Sequence, residues 1–186
     1  WGNAEKKEIL TTPEQYAKAA EQALADGYDA IKVDVNEIDL EGRAKKRNLY
    51  GCFARRDLLV GYERLKAIRE AVGDKIDIIV EAHALTDTTS AIEFGNMIEE
   101  FRIAAYEEPG QLKQVKDGIN IPIAAGERVY TRWGFRPFFE DHIIDLIQPD
   151  LGTCGGFSEA KKICDMGHIY DTTCQIHVCG GPIMTA

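Results

Sequence analysis

The sequence predicts an α/β fold in which about six βα units, taken in chain order, make up part of a (β/α) barrel. Two observations carry this expectation. Short, near-continuous apolar runs alternate with longer amphipathic ones, the pattern of parallel strands buried on both faces by helices. Nearly every apolar run also ends in an ionisable residue. In a barrel those ends converge on one mouth, whereas in an open doubly wound sheet only the ends near the switch point meet.

Thr12-Pro13-Glu14 opens the first helix: Thr caps, Pro suits the first turn, and Glu favours the positive end of the dipole. Ala17, Ala20, Ala23 and Leu24 give it an apolar face, and Asp26-Gly27 ends it. Tyr28 to Val33 reads as a strand, and the charged segment Asn36 to Arg56 as a long loop. The next helix runs over Asp57 to Val72, with Leu58, Leu59, Tyr62, Leu65 and Ile68 on one side. Ile76 to Val80 is a strand of the fully buried type, Thr86 to Phe101 a helix, and Ile103 to Tyr106 a strand. A short helix near Leu112 to Lys116 leads to strand Ile121 to Ala125. Then come a helix about Trp133 to Asp141, strand Ile143 to Ile147, helix Phe157 to Met166 and strand Thr172 to Val178. No low-complexity segment or linker divides the chain.

The 186 residues carry a net charge of −9 and no basic stripe, which argues against nucleic acid and anionic membrane as partners. The five cysteines (Cys52, Cys154, Cys164, Cys174, Cys179) are odd in number and form no C-x-x-C pair. A disulfide framework or zinc site is not expected, and a reducing cytoplasm fits best. No apolar run approaches the roughly 20 residues a membrane span needs, and Trp1 to Lys7 holds no signal-peptide core. No G-x-G-x-x-G or phosphate-loop motif comes after any strand, so a nucleotide-binding fold is not expected.

The strand-end residues are Lys32 and Asp34, Glu81 and His83, Glu107, Glu127, Asp150 and His177. Glu81, Glu107 and Glu127 lie on successive strands, each about one βα unit from the next. One such Glu alone reads as a solvated loop residue. Three carboxylates forced together repel strongly, and a hard divalent cation relieves this. All-oxygen ligation with open positions suits Mg²⁺. Asp150 and His177 sit on neighbouring strands, where a carboxylate fixes a histidine's tautomer and raises its basicity, as a general base requires. His83, two residues after Glu81, is expected on the same face of its strand. Arg128, Arg132 and Trp133 come just after Glu127 and are candidates to line the substrate mouth. Lys32 and Asp34 are further candidates to bind substrate, with Lys32 contacting a substrate carboxylate or neutralising Asp34. His142 and His168 fall in helical or connecting segments and carry no role.

In chain order, Val80-Glu-Ala-His83, Tyr106-Glu-Glu-Pro109, Ala125-Gly-Glu127, Ile147-Gln-Pro-Asp150 with Gly155-Gly156, and Ile176-His177 with Gly181-Pro182 place one motif at each strand end. This ordered set resembles the enolase superfamily, in the mandelate-racemase-like branch, and within it the galactonate-dehydratase-like sugar-acid dehydratases. The resemblance implies a TIM-type barrel with Glu81, Glu107 and Glu127 as Mg²⁺ ligands. Asp150 and His177 become the base dyad and His83 the acid that protonates a leaving hydroxyl. Lys32 and Asp34 take the positions where racemases of the branch carry Lys-x-Lys. It further implies a small-molecule sugar acid as substrate and a homo-oligomeric assembly.

The sequence departs from the family pattern in three places. Glu81 stands where Asp is usual. Asp34 replaces a second catalytic Lys, which together with His83 favours dehydration over racemisation. The chain is also shorter than the roughly 250 residues of a complete barrel. Residues 1–186 are accordingly expected to be a partial catalytic barrel of the second to seventh strands, without the N-terminal capping domain or last strand of the family. The competing readings are an epimerase or cycloisomerase on the same scaffold, and a non-catalytic homologue.

Overall fold

The computed structural model describes residues 9–44, 53–181 and 184. The segment read at Trp1 to Lys7, the middle of the 36–56 loop with Cys52, and Pro182 lie outside the described residues. In chain order the elements are α1 (Pro13–Ala25), β1 (Ala30–Val33), α2 (Arg55–Val72), β2 (Asp77–Glu81), α3 (Thr88–Ile98), β3 (Ala105–Glu107), α4 (Leu112–Gly118), β4 (Ile123–Ala125), α5 (Thr131–Glu140), β5 (Leu146–Ile147), α6 (Phe157–Ile169) and β6 (Thr173–Cys174). Among the described residues the strands form one all-parallel sheet in the order β1-β2-β3-β4-β5-β6. A doubly wound sheet reverses its strand order; this one never does, and it curls into the half-barrel that the sequence predicts.

Local chemistry sets the helix ends. Thr12 Oγ1 accepts from the Gln15 N–H at 3.4 Å, and Gln15 Oε1 accepts from the Thr12 N–H at 3.0 Å, a reciprocal capping box. Asp87 caps α3 by accepting from the Ser90 N–H. The strands are shorter than the apolar runs that signal them. Ile144 is buried without joining the ladder, and Tyr28, read as part of the first strand, is exposed. Apolarity reports burial, and ladder bonds cover only part of each buried run. Helix α2 takes in Arg55 and Arg56 from the expected loop, and α5 begins at Thr131, ahead of Trp133.

Register aims the site. Glu81 pairs with Glu107, Lys32 with Ile79, and Ile79 with Ala105. Alternation puts Ile79 and Glu81 on one face of β2, and Ala105 and Glu107 on the matching face of β3. Ile79, Ala105 and Ala124, with Leu146 against them, form a packed inner layer, so the two glutamates stand one step above it, toward the carboxyl ends. The opposite faces meet the helices. Ile78, Val80, Tyr106 and Ile123 join a core with α1, α2 and α3, while Ala125 and Ile147 pack with Phe135, Phe139, Ala160 and Ile163 of α5 and α6.

Arg64 is the one charged side chain of α2 with no exposure among the described core residues. Its guanidinium donates to the carbonyls of Thr11, Val35, Ile38 and Asp39 and lies 5.0 Å over the Tyr16 ring. It thereby ties the loop after β1 to the middle of α2. Gly61, one turn earlier, lets that loop come close: a Cβ there would lie 2.2 Å from Asn36 Oδ1. Replacing Arg64 by Met keeps the bulk but strands buried carbonyls, and should lower unfolding free energy by on the order of 3 kcal/mol. Urea unfolding measures it; a loss under about 1 kcal/mol would show that the loop is held by other contacts.

Candidate functional site

The carboxyl ends of β1 to β6 gather acidic and basic groups in alternating pairs. Glu107 is fully buried, and Glu81 nearly so. Lys32, from β1, reaches between them: Nζ lies 2.7 Å from Glu107 Oε1 and 3.3 Å from Glu81 Oε2. This differs from both roles expected of Lys32, since it neither meets Asp34 nor stands free for a substrate carboxylate. Lysine is long enough to cross from β1 to β3, and the strongest nearby field is that of the two glutamates. Burial first, then the charge of Glu107, pushes the Glu81 carboxyl up to about 7. The same neighbours act on Lys32, whose ammonium burial disfavours but whose bonds to Glu107 and Glu81 raise it above the ordinary lysine value.

Glu127, just past β4, faces Arg128 and the His177 ring. Its Oε1 lies 3.2 Å from Arg128 Nε and its Oε2 lies 2.8 Å from His177 Nε2. Arg128 also reaches Glu108 Oε2 at 3.2 Å, so it is engaged by the protein's own carboxylates rather than standing free at the mouth. Sequence reasoning reaches Glu108 only as part of a motif. Burial raises its carboxyl above the usual range although Arg128 works against this. Its place beside Glu107 in Tyr106-Glu-Glu-Pro109 is the signal that could have found it.

Asp150 and His177 meet as expected. Their backbones form a parallel bridge, and His177 Nδ1 lies 2.9 Å from Asp150 Oδ2. Asp150 Oδ1 accepts from the N–H groups of Gly152 and Thr153. Burial opposes its charge, but the His177 ring and those two N–H groups hold the Asp150 carboxyl below its ordinary value. Cys179 stands at the edge of this pair, its Sγ 3.9 Å from Asp150 Oδ2, a neighbour to which the sequence assigns no role.

His83 reaches the site by a different route from the one expected. Strand β2 stops at Glu81, and His83 and Ala84 both take left-handed backbone (φ 48° and 52°), so strand alternation no longer applies at His83. The turn brings the His83 N–H onto Glu81 Oε1 at 2.7 Å and ring Nδ1 to 2.8 Å from Asp34 Oδ2. Burial disfavours the charged ring. The bond to Asp34 and the charges of Glu81, Asp34 and Glu37 outweigh this and raise His83 above the usual histidine value. Trp133 lies in the first turn of α5. It is 69% exposed on α5, with its ring 5.8 Å from the Arg132 guanidinium, and Arg132 in turn pairs with Glu159. A helix that starts at Thr131 turns position 133 outward.

Donor chemistry at the mouth fits a hard divalent cation. Glu107 Oε2 is buried with no hydrogen-bond partner, and Glu81 beside it resists ionisation unless a positive charge is near. Glu81, Glu107 and Glu127 do not draw together as tightly as other groups here. Among the described residues, candidate ligand atoms lying within 4.8 Å of one another belong to Asp34, Glu37 and His83 and to Asp150, His177 and Cys179. In this structure Lys32 serves two of the three glutamates, and Arg128 and His177 serve the third.

Comparison with known proteins places the chain in a family. Residues 15–186 match the family described as enolase C-terminal domain-like. The chain is similar to a D-xylonate dehydratase of Haloferax volcanii (31% identical over 165 residues, 86% of this chain and 39% of that protein). It is also similar to a D-galactarolactone cycloisomerase of Agrobacterium fabrum (33% over 128 residues, 66% of this chain and 34% of that protein). A crystal structure of an enolase-superfamily member from Salmonella Typhimurium superposes with a TM-score of 0.94 at 57% identity, covering 100% of this chain and 49% of that one. The chain thus spans under half the length of each. No helix of the described residues is long and apolar enough to cross a membrane.

The raised Glu81 carboxyl yields a pH-dependent prediction. Its ionised form is penalised in the fold, so the penalty is absent below the ordinary value of 4.5 and complete above about 7. Lys32→Met removes the ammonium that offsets it. In EDTA, the melting temperature should therefore fall more at pH 8 than at pH 5. An equal fall at both would mean that Lys32 acts through packing alone.

Proposed function

The chain belongs to the enolase C-terminal domain-like family, and from that premise we propose that it is the catalytic half-barrel of a Mg²⁺-dependent dehydratase converting sugar acids (aldonates) to 2-keto-3-deoxy acids. One observation carries the reading most directly. His177, held at Nδ1 by Asp150, turns Nε2 toward Glu127, so a base stands beside the carboxylates proposed to hold the metal. Glu81, Glu107 and Glu127 are the proposed ligands, and a cation bound by them supplies charge stabilisation to a substrate carboxylate whose neighbouring C–H is losing its proton.

In this reading His177 Nε2 takes the proton from C2. Asp150 keeps the imidazole oriented and stabilises the positive ring that results. His83, on the other flank, gives a proton to the 3-hydroxyl, which departs as water. The enol left behind tautomerises to the 2-keto-3-deoxy acid. Lys32 and Arg128 hold the surplus negative charge of the mouth rather than binding substrate directly. The dehydratase named among the relatives supports the reaction class.

A second reading, epimerisation or cycloisomerisation, draws on the cycloisomerase relative and on histidines at both flanks of the mouth. It shares the proton abstraction by His177 and differs in the fate of the substrate once that proton is gone.

Incubated with a panel of aldonic acids and Mg²⁺, the protein should release a 2-keto-3-deoxy acid from at least one, and EDTA should abolish this. His177→Asn should slow that turnover by about 10²- to 10⁴-fold. Unaltered turnover in His177→Asn would sink the mechanism. An epimer or ring-opened product in place of the keto acid would select the second reading.

A further inference from the structure

Asp34 and Asp150 are built alike. Each lies just past the end of a parallel strand, β1 and β5. Each turns one carboxylate oxygen onto its own loop: Asp34 Oδ1 accepts from the N–H groups of Asn36 and Glu37, both at 2.8 Å. Asp150 Oδ1 accepts from those of Gly152 at 2.8 Å and Thr153 at 2.9 Å. Each gives its second oxygen to ring Nδ1 of a histidine just past the next strand, His83 at 2.8 Å and His177 at 2.9 Å. Both carboxylates are shielded, with 10% and 5% of the side chain exposed.

Two backbone N–H groups on one oxygen fix a carboxylate's plane, so the other oxygen has a single direction to offer. A histidine bonded there through Nδ1–H presents Nε2 to whatever lies in front of it. The Asp150–His177 pair sits at the β5–β6 side of the half-barrel and the Asp34–His83 pair at the β1–β2 side, with the glutamate-bearing strand ends in register between them. Loop capping alone needs only Asp34 Oδ1. The bond from Oδ2 to His83 goes beyond loop capping, and it accompanies left-handed backbone at His83 and Ala84.

We propose that Asp34 is the positioning residue of a second Asp–His dyad: it holds Nδ1–H of His83 and so makes Nε2 the nitrogen that exchanges a proton with substrate, on the flank opposite the Asp150–His177 dyad. Asp34 acts through His83 and does not itself touch substrate. For the catalytic part the inference rests on the dehydratase reading; for the tautomer it stands on the geometry alone.

Asp34→Asn tests it well. The amide keeps an oxygen for the Asn36 and Glu37 N–H groups, so the loop stays capped, but it points an NH₂ at His83 Nδ1. That reverses which ring nitrogen keeps the hydrogen. With ¹⁵N-histidine labelling and His83→Asn to identify the signal, long-range ¹⁵N–¹H spectra at a pH where the ring is neutral should show His83 as the Nδ1–H tautomer in the parent and as Nε2–H in Asp34→Asn. The same tautomer in both proteins would overturn the proposal.

Activity supplies the second arm, on whichever acid sugar the protein accepts. Asp34→Asn and His83→Asn should both slow dehydration about 10²-fold or more with KM little changed. Exchange of the C2 hydrogen with deuterated water, which depends on His177, should slow far less. Dehydration and exchange falling together would mark Asp34 as a structural support and reject the proposed role. If the parent protein neither dehydrates nor exchanges any acid sugar, the dehydratase reading fails instead, and the tautomer measurement still decides the part played by Asp34.

Discussion

Negative charge crowded onto one rim of a parallel sheet is the constraint around which this molecule is arranged. Sequential parallel pairing delivers every strand's carboxyl end to the same side, and Asp34, Glu81, Glu107, Glu127 and Asp150 all arrive there. Left alone they would repel. Each is answered by a cation or a hydrogen-bond donor on the same rim: Lys32 for Glu81 and Glu107, Arg128 and His177 for Glu127, His83 for Asp34, and His177 again for Asp150. Burial first, and then the neighbouring Glu107 charge, push the Glu81 carboxyl up to about 7. Beneath the rim, two apolar clusters pack the strands against the helices.

Much of this rim is legible in the sequence. Strands buried on both faces read as apolar runs, and an ionisable residue at the close of each run is a conspicuous break, so Glu81, Glu107, Glu127, Asp150 and His177 can be placed before any coordinates. Pairing is what escapes. The Lys32–Glu107 contact joins residues on first and third strands, and no local pattern announces a lysine reaching across its neighbour. His83 escapes for another reason. Its position depends on left-handed backbone in Ala82-His-Ala-Leu85, where no glycine signals a turn.

Stability and site are coupled through Arg64. Its guanidinium donates to backbone carbonyls, three of them on the stretch just after Asp34. The loop that turns Asp34 toward His83 is therefore anchored to the interior of α2 and not left to its own capping bonds. Gly61 completes the fit by admitting Asn36 against the helix. A change deep in the helical layer can thus disturb the rim without touching any residue there.

The unbroken strand order also bears on how the chain acquires its shape. Every strand pairs with its immediate successor, so assembly can advance one unit at a time, each docking onto an edge already formed. The closures are unequal in length, and the one from Val33 to Asp77 is the longest. Closing a loop of twice the length costs only about 0.6 kcal/mol more, but β1 arrives with an exposed and half-buried pattern and little apolar surface to reward it. The first of these strands to leave the ribosome is then expected to be among the last to settle, with Lys32 meeting its glutamates once β2 and β3 have brought them side by side.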